Sequence, residues 1–219
     1  MRFTKQMRNS ADNIWQKCFD HPFVKGLGDG SLAIEKFKFF MMQDYLYLLE
    51  YVKVFALGVV KAEKTEDMQM FSKSVEQTLN GEMDIHRAYM KRLGITDEEL
   101  IACKRSFANS SYTAYMLSCA FNGGLPEIAV SILACSWSYA EIGKRLFGIP
   151  NAAEHPVYGE WIKGYADEEY QKHNDQLIAF TEKLCADCSE ERLKKLEKIF
   201  IDCSLCEYHF WEMAWNMEE

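Results

Sequence analysis

The 219-residue chain contains only four prolines and no long apolar run. No stretch approaches the roughly 18 consecutive apolar residues that a membrane-spanning helix requires, so no membrane partner is expected. The N-terminal residues are polar and lack the apolar core of an export signal. The eight cysteines are therefore expected to be reduced thiols, and the cytoplasm is the expected location.

Positive charge is also scarce, because 25 Lys and Arg face 33 Asp and Glu and the formal net charge is −8. Binding to nucleic acid depends on clustered Lys and Arg that neutralise phosphates, so no nucleic-acid partner is expected. An acidic balance is compatible with a cationic small substrate. The sequence also lacks a glycine-rich phosphate loop and a Glu-x-x-His pair, which argues against a nucleotide site and a di-iron carboxylate bundle.

What is present is helical periodicity along nearly the whole chain. Between about residues 34 and 63, apolar residues recur at intervals of three and four, which predicts an amphipathic helix. A second long helix is predicted over about residues 66–92. Strand-like alternation does not persist anywhere, and no repeat or low-complexity linker occurs. We therefore predict a single all-α domain over residues 1–219, with about nine to eleven helices packed as a bundle.

Several polar residues stand where helices are expected to begin. Thr96 and Glu99 form a capping-box pattern, in which each side chain bonds to a backbone N–H at the start of a short helix. Ser110 or Ser111 is expected to cap the next helix, and Ser189 the last one.

Three places along these helices combine residue types that carry chemistry. Cys135 and Tyr139 are four residues apart and share a helix face, as a nucleophilic thiol beside a phenol would. Asp44 and Tyr47 are three apart, and the acid lies among apolar residues of the predicted helix. Glu207 lies among aromatic residues, where a carboxyl favours its protonated form and can act as a general acid. From spacing alone the alternatives stay open: a buried cysteine packed near an aromatic ring, and carboxylates that are solvated or ion-paired.

Four cysteines near the C-terminus resemble a metal-binding pattern. The pairs Cys185–Cys188 and Cys203–Cys206 are separated by fourteen residues, close to the spacing of zinc ribbons. Zinc knuckles need turns near their cysteines, whereas the segment between these pairs has a strong helical pattern and no glycine. We therefore expect no metal site here.

The separate patterns together are similar to one family. From about Phe3 to Trp215 the chain resembles TenA-type thiaminase II. The matching segments are HPFVKGLGDG (21–30), QDYLY (43–47), SYTAY (111–115), CSWSYAEIG (135–143), HPVYGEWI (155–162) and CEYHFW (206–211). The resemblance implies a haem-oxygenase-like helical bundle, a homotetramer as the usual assembly, and no cofactor.

The resemblance also implies the catalytic residues. Cys135 would be the nucleophile and Glu207 the proton donor. Tyr47 would lie near the thiol and favour its nucleophilic form. The thiolate is the reactive form of cysteine, and its addition to a ring carbon requires that an acid makes the ring electrophilic.

Substrate-binding residues follow from the same resemblance. Asp44 would hold the aminopyrimidine, because an ionised carboxylate accepts hydrogen bonds from an exocyclic amine. Tyr139 would contact the substrate, and Tyr112 and Tyr165 would complete a polar aromatic wall. Aromatic side chains can stack on a flat ring.

The implied function is hydrolysis of thiamine-type aminopyrimidines to 4-amino-5-hydroxymethyl-2-methylpyrimidine for thiamine salvage. The candidate substrates are thiamine and 4-amino-5-aminomethyl-2-methylpyrimidine. Two alternatives stay open at this point, because a fold does not fix a function. One is a haem- or metal-dependent oxygenase of the same fold, and the other is a non-catalytic pyrimidine-binding regulator.

Overall fold

The computed structural model describes residues 2–218, and every regular element in that range is helical. The α-helices are α1 (Phe3–Ser10), α2 (Asp12–Phe19), α3 (Pro22–Asp29), α4 (Ile34–Lys61), α5 (Thr65–Gln77), α6 (Met83–Arg92), α7 (Asp97–Ala102), α8 (Phe107–Asn122), α9 (Leu125–Phe147), α10 (Gly159–Ala166), α11 (Glu168–Cys185) and α12 (Glu190–Asn216). A π-turn joins α5 to α6, and a short 3₁₀ segment, Ala152–Glu154, precedes α10. If α5 and α6 are counted as one interrupted helix, the described range has eleven, and the predicted all-α class is confirmed.

The chain divides into two compact units. The first unit comprises residues 2–33 and 129–212, and the second comprises residues 34–128 and 213–218. The single-domain organisation stays a prediction. No helix of residues 2–218 is both long enough and apolar enough to cross a membrane.

The long helix α4 begins the second unit. It runs over Ile34–Lys61, close to the predicted range. Its buried face contains the expected apolar side chains, such as Phe37 and Phe40, but also Gln43 and Asp44, which are 0% and 4% exposed. Buried polar groups are costly unless they are hydrogen-bonded, so these two residues need partners within the fold.

The predicted helix over about residues 66–92 is present but is not regular. The π-turn Thr78–Glu82 interrupts it between α5 and α6. One extra residue in a helical turn rotates all later residues by about 100° around the axis, since an α-helix has 3.6 residues per turn. The side chains of α6 therefore face directions that the sequence periodicity of α5 does not predict.

The capping box at the start of α7 is confirmed, with both Thr96 bonds present. The predicted start of α8 at Ser110 or Ser111 is wrong. Ser106 caps this helix instead, and its hydroxyl accepts from the N–H three residues later. The cause is a tertiary contact: the backbone N–H of Ser106 donates to the Gln43 side chain at 3.1 Å, which orders the chain one turn earlier than the local pattern suggests.

The first unit is organised around Trp15, which is 1% exposed. Its indole N–H donates to the Ser204 hydroxyl of α12 at 2.9 Å. Its ring lies 6.0 Å from Phe200 in a stacked arrangement and 5.8 Å from Trp137 edge to face. The tryptophan thus joins α2, α9 and α12 while its one polar group stays satisfied.

Candidate active site

Cys135 and Tyr139 lie one turn apart near the middle of α9, in the first unit. Cys135 is half-buried and Tyr139 is 4% exposed. A cysteine that is partly accessible can react, whereas a fully buried structural cysteine is inert. The environment of Cys135 is therefore compatible with the predicted nucleophile, although its role stays a prediction.

An aromatic cluster surrounds Tyr139. Its ring centroid is 4.9 Å from that of Tyr165 in α10 and 5.4 Å from that of Trp211 in α12. Trp161 lies 4.7 Å from Tyr165. The structure thus brings together Tyr139 and Tyr165, two of the residues that the resemblance implies for substrate binding.

Two residues on α9 and α11 hold this cluster in place. Gly143 lies one turn after Tyr139, and a Cβ built on it would approach the Tyr165 carbonyl carbon to 2.6 Å. The side-chain amide of Gln171 donates to the backbone carbonyls of Ala140, at 3.0 Å, and Tyr165, at 2.7 Å. Sequence reasoning missed Gln171, because its partners are backbone atoms of distant segments.

The close approach at Gly143 gives a stability prediction. Gly143→Ala is expected to destabilise the fold by about 1–3 kcal/mol, since the new methyl group meets backbone rather than a movable side chain. The measurement is urea unfolding followed by circular dichroism. Gly164→Ala in α10 is the control, because nothing lies within 4 Å of its Cβ position. Alanine there should be neutral or stabilising by up to about 1 kcal/mol, and equal effects of the two variants would contradict the packing account.

Glu207 lies in α12, one turn before Trp211, and is 3% exposed. Two cysteines of the first unit are affected by Glu207 when its carboxyl is ionised. Burial and then the Glu207 carboxylate raise the pKa of Cys206 to about 12. The same causes, in the same order, raise the pKa of Cys18 well above its ordinary value. Both side chains are therefore protonated near neutral pH and are poor nucleophiles.

Asp44 of α4 is bound by a histidine within the second unit. The Nε2 atom of His86 in α6 lies 2.7 Å from Oδ2 of Asp44, and both side chains are buried. The Nδ1 atom of His86 lies 2.9 Å from the Glu82 carbonyl oxygen. Burial lowers the pKa of His86, but the hydrogen bond and charge of Asp44, with smaller contributions from Glu82, outweigh it and raise the pKa.

Sequence reasoning missed His86. One signal was available, because His86 stands in a buried stripe of α6 together with Met83 and Met90. A histidine at an apolar position of an amphipathic helix needs a buried hydrogen-bond partner. The sequence did not indicate that the partner is Asp44, forty-two residues away.

Tyr47 and Tyr112 are also brought together in the second unit, with ring centroids 5.3 Å apart. Tyr47 stacks on Tyr51 at 5.2 Å, and its hydroxyl lies 3.7 Å from the Met116 thioether. Both tyrosines are nearly fully buried. The predicted effect of Tyr47 on the thiol stays a prediction.

Gln43 fixes the helices that carry Asp44 and Tyr112. Its side-chain N–H₂ donates to the Lys104 carbonyl at 2.8 Å. Its oxygen accepts from the Asn109 amide at 3.1 Å, and the same amide donates to the Gln43 carbonyl at 2.8 Å. Gln43 thereby ties α4 to the start of α8.

The C-terminal cysteines are arranged differently from a zinc ribbon. Cys203 and Cys206 lie within α12, Cys185 ends α11, and Cys188 lies in the turn between these helices. Throughout residues 2–218, no three side chains of His, Cys, Asp or Glu form a group that could hold a metal ion.

Taken together, the two units carry the groups of a particular class of protein. The first has a half-buried thiol, a buried carboxyl and an aromatic cluster, and the second has a histidine-bound carboxylate and paired tyrosines. Thiols and carboxyls are side chains that serve in nucleophilic and acid–base catalysis, and aromatic rings can contact a flat substrate ring. The chain matches the TENA/THI-4/PQQC family over residues 8–217 and belongs to it. The family resemblance predicted from the sequence is confirmed.

Two bacterial relatives are similar to this chain over nearly their full length. One, from Halalkalibacterium halodurans, is 48% identical and is named aminopyrimidine aminohydrolase; the match covers 99% of this chain and 96% of that protein. The other, from Helicobacter pylori, has the same name and is 46% identical, with 99% of this chain and 100% of that protein covered.

Solved structures agree with the fold. A TenA family transcription regulator from a Silicibacter species has a TM-score of 0.90 and 29% identity, covering 97% of this chain and 96% of that one. A domain from Shewanella denitrificans with a heme oxygenase-like fold has a TM-score of 0.77, covering 97% and 92%. At 13% identity it shows the fold alone, and it confirms the predicted haem-oxygenase-like bundle.

Proposed function

We propose that this protein is an aminopyrimidine aminohydrolase. It replaces the amine on the exocyclic methylene of 4-amino-5-aminomethyl-2-methylpyrimidine with the hydroxyl of water, and it releases ammonia. The observation that carries the proposal is 46–48% identity, over nearly the whole chain, to two relatives with that name. Thiamine is a second substrate of the same reaction, with its thiazole as the leaving group. The physiological role is salvage of the pyrimidine for thiamine synthesis.

In the proposed mechanism, protonated Glu207 donates to a ring nitrogen and makes the pyrimidine electrophilic. The thiolate of Cys135 then forms a carbon–sulfur bond to the activated ring. The electron pair of the adduct expels the group on the methylene, which leaves as ammonia or thiazole. Water adds to the methylene and loses a proton to the released ammonia or to solvent. The carbon–sulfur bond then breaks and the ring nitrogen returns its proton to Glu207, which restores the Cys135 thiolate and releases the hydroxymethylpyrimidine. The buried position of Glu207 supports its role as an acid, because solvent has little access to exchange a proton in its place.

The remaining residues bind the substrate. Asp44 accepts a hydrogen bond from the exocyclic amine, and the rings of Tyr139 and Tyr165 contact the pyrimidine together with Tyr112. Tyr47 favours the reactive form of the thiol. The pairing of Tyr139 with Tyr165, and of Tyr47 with Tyr112, supports these assignments.

The setting of the enzyme is proposed from its composition and its family. Eight reduced thiols are typical of the cytoplasm. A formal net charge of −8 is unfavourable for nucleic-acid binding. The partner is a small aminopyrimidine, in keeping with the names of the two bacterial relatives. The assembly is a homotetramer, as the family resemblance implies.

The alternatives differ from this proposal in measurable ways. A haem-dependent oxygenase would purify with, or take up, haem and show its absorption band. A regulator would bind the pyrimidine without consuming it. The similar solved structure from a Silicibacter species is described as a transcription regulator. Turnover by the purified protein separates both from the aminohydrolase.

Substrate preference gives the sharpest test of the salvage role. We expect kcat/KM to be higher for 4-amino-5-aminomethyl-2-methylpyrimidine than for thiamine, because each proposed polar contact addresses the pyrimidine. Binding energy that is concentrated on one half of a substrate makes the other half only a leaving group. Both compounds are compared at one ionic strength near physiological, since the acidic surface attracts cationic thiamine more strongly at low salt. A clear preference for thiamine would contradict the salvage role but not the Cys135 mechanism.

A further inference from the structure

The contact between Asp44 and His86 has a feature that packing alone does not explain. Only one carboxylate oxygen of Asp44, Oδ2, is engaged by the fold. No other polar group of residues 2–218 forms a hydrogen bond with this side chain, although it is 4% exposed. The other oxygen, Oδ1, is not one of the fully buried side-chain atoms that lack a partner, so it keeps some access to solvent. An accessible carboxylate oxygen can accept a hydrogen bond from a ligand donor.

The histidine is itself held from the other side. Its Nδ1 lies 2.9 Å from the Glu82 carbonyl oxygen and its Nε2 lies 2.7 Å from Asp44. Both partners are acceptors, so the ring satisfies both contacts when both of its nitrogens carry a proton. The ring cannot rotate without breaking one of these bonds. It therefore fixes the position of Asp44 Oδ2 relative to α6.

The π-helical turn before α6 affects the direction in which the His86 ring points. Glu82 is the last residue of the turn Thr78–Glu82, and His86 lies four residues later. The extra residue of the turn rotates α6 by about 100°, which determines the direction in which His86 points. Single π-helical turns inside α-helices occur frequently at functional sites, and this one ends at Glu82, whose carbonyl contacts the imidazole.

From these contacts we infer that His86 is a positioning residue for pyrimidine recognition. It holds Oδ2 of Asp44 so that Oδ1 is presented to the 4-amino group of the substrate. This inference rests on the proposed function. It assigns His86 no contact with the reacting atoms. The ring acts through Asp44, so its loss should weaken binding of the aminopyrimidine rather than slow the chemical step.

The test separates KM from kcat. His86→Ala is expected to raise KM for 4-amino-5-aminomethyl-2-methylpyrimidine about tenfold or more, the scale of one hydrogen bond to a charged group. The value of kcat should stay within about threefold, because the thiol and the acid are untouched. His86→Gln retains an N–H donor and should recover part of the lost affinity. Lys91→Ala, at an exposed position of the same helix, is the control and should leave both constants unchanged.

A double-mutant cycle distinguishes positioning from general destabilisation. Asp44→Ala alone should raise KM, and adding His86→Ala should then change it by less than about twofold, because the residue acts only through Asp44. If the two KM effects multiply, or if His86→Ala lowers kcat while KM is unchanged, the positioning role is overturned.

A measurement on the wild-type protein keeps the inference testable if the alanine variants do not fold. In ¹⁵N NMR spectra, both ring nitrogens of His86 should carry protons near neutral pH. Titration with the hydroxymethylpyrimidine product should shift the Nε2 resonance, since the product's amine binds the same carboxylate. A singly protonated ring, or no shift at saturation, would overturn it.

If the wild-type protein neither binds nor converts aminopyrimidines, the proposed function fails and the inference fails with it. Normal wild-type activity with an unchanged KM in His86→Ala overturns the inference alone.

Discussion

Cys135→Ser is expected to lower turnover of aminopyrimidines by about 10³-fold or more while leaving the helical content unchanged. A serine hydroxyl is barely ionised near neutral pH, so addition to the pyrimidine ring fails even though the side chains are similar in size. Cys135 is half-buried, and the substitution replaces one small side chain with another, so the fold should tolerate the change. The measurements are kcat by product chromatography and circular dichroism of the same preparation.

Cys188→Ser provides the matched control. This thiol also belongs to the first unit and is also half-buried, and it lies in the turn that follows α11. The control should retain near wild-type kcat and KM. The raised pKa values of Cys18 and Cys206 argue that neither can replace the nucleophile near neutral pH. Near wild-type turnover by Cys135→Ser would refute nucleophilic catalysis by this residue.

Glu207→Gln is the second substitution with a large expected effect, a fall in kcat of at least about 10²-fold. Glutamine keeps the shape and the hydrogen-bonding capacity of the side chain but cannot release and regain a proton. Because Glu207 is 3% exposed, solvent has little access to replace the missing acid. The measurement is kcat at saturating substrate across a range of pH.

Glu190→Gln controls for the loss of a carboxylate from the same helix. Glu190 begins α12 and is exposed, so its replacement should leave kcat and the pH profile unchanged. A Glu207→Gln enzyme that keeps the wild-type pH profile with only a small loss of rate would remove Glu207 from the acid role.

The sequence predicted those parts of the fold that depend on local patterns. The helix over Ile34–Lys61 follows from apolar spacing, and the Thr96 capping box follows from two side chains three residues apart. The serine that caps α8 was not predictable in the same way. The backbone N–H of Ser106 donates to the Gln43 side chain, sixty-three residues earlier in the chain. No local sequence pattern indicates that contact.

The parts of the candidate site show the same division. Cys135, Tyr139 and Glu207 were predicted because motif segments carry them, and the pairing of Tyr139 with Tyr165 agrees with the resemblance. The roles of these residues stay predictions until variants are measured.

The supporting residues could not be found in this way. The π-turn changes the direction of α6, so the periodicity of the sequence does not indicate that His86 reaches Asp44. Gln171 bonds only to backbone carbonyls, which every sequence contains and which therefore leave no motif.

The most direct test of the central claim is mass spectrometry of the product after incubation with 4-amino-5-aminomethyl-2-methylpyrimidine in H₂¹⁸O. Hydrolysis through Cys135 predicts 4-amino-5-hydroxymethyl-2-methylpyrimidine that carries one ¹⁸O atom, together with one equivalent of ammonia. Cys135→Ser should yield neither. An unconsumed substrate, or a product without ¹⁸O, would contradict the assignment of this protein as an aminopyrimidine aminohydrolase.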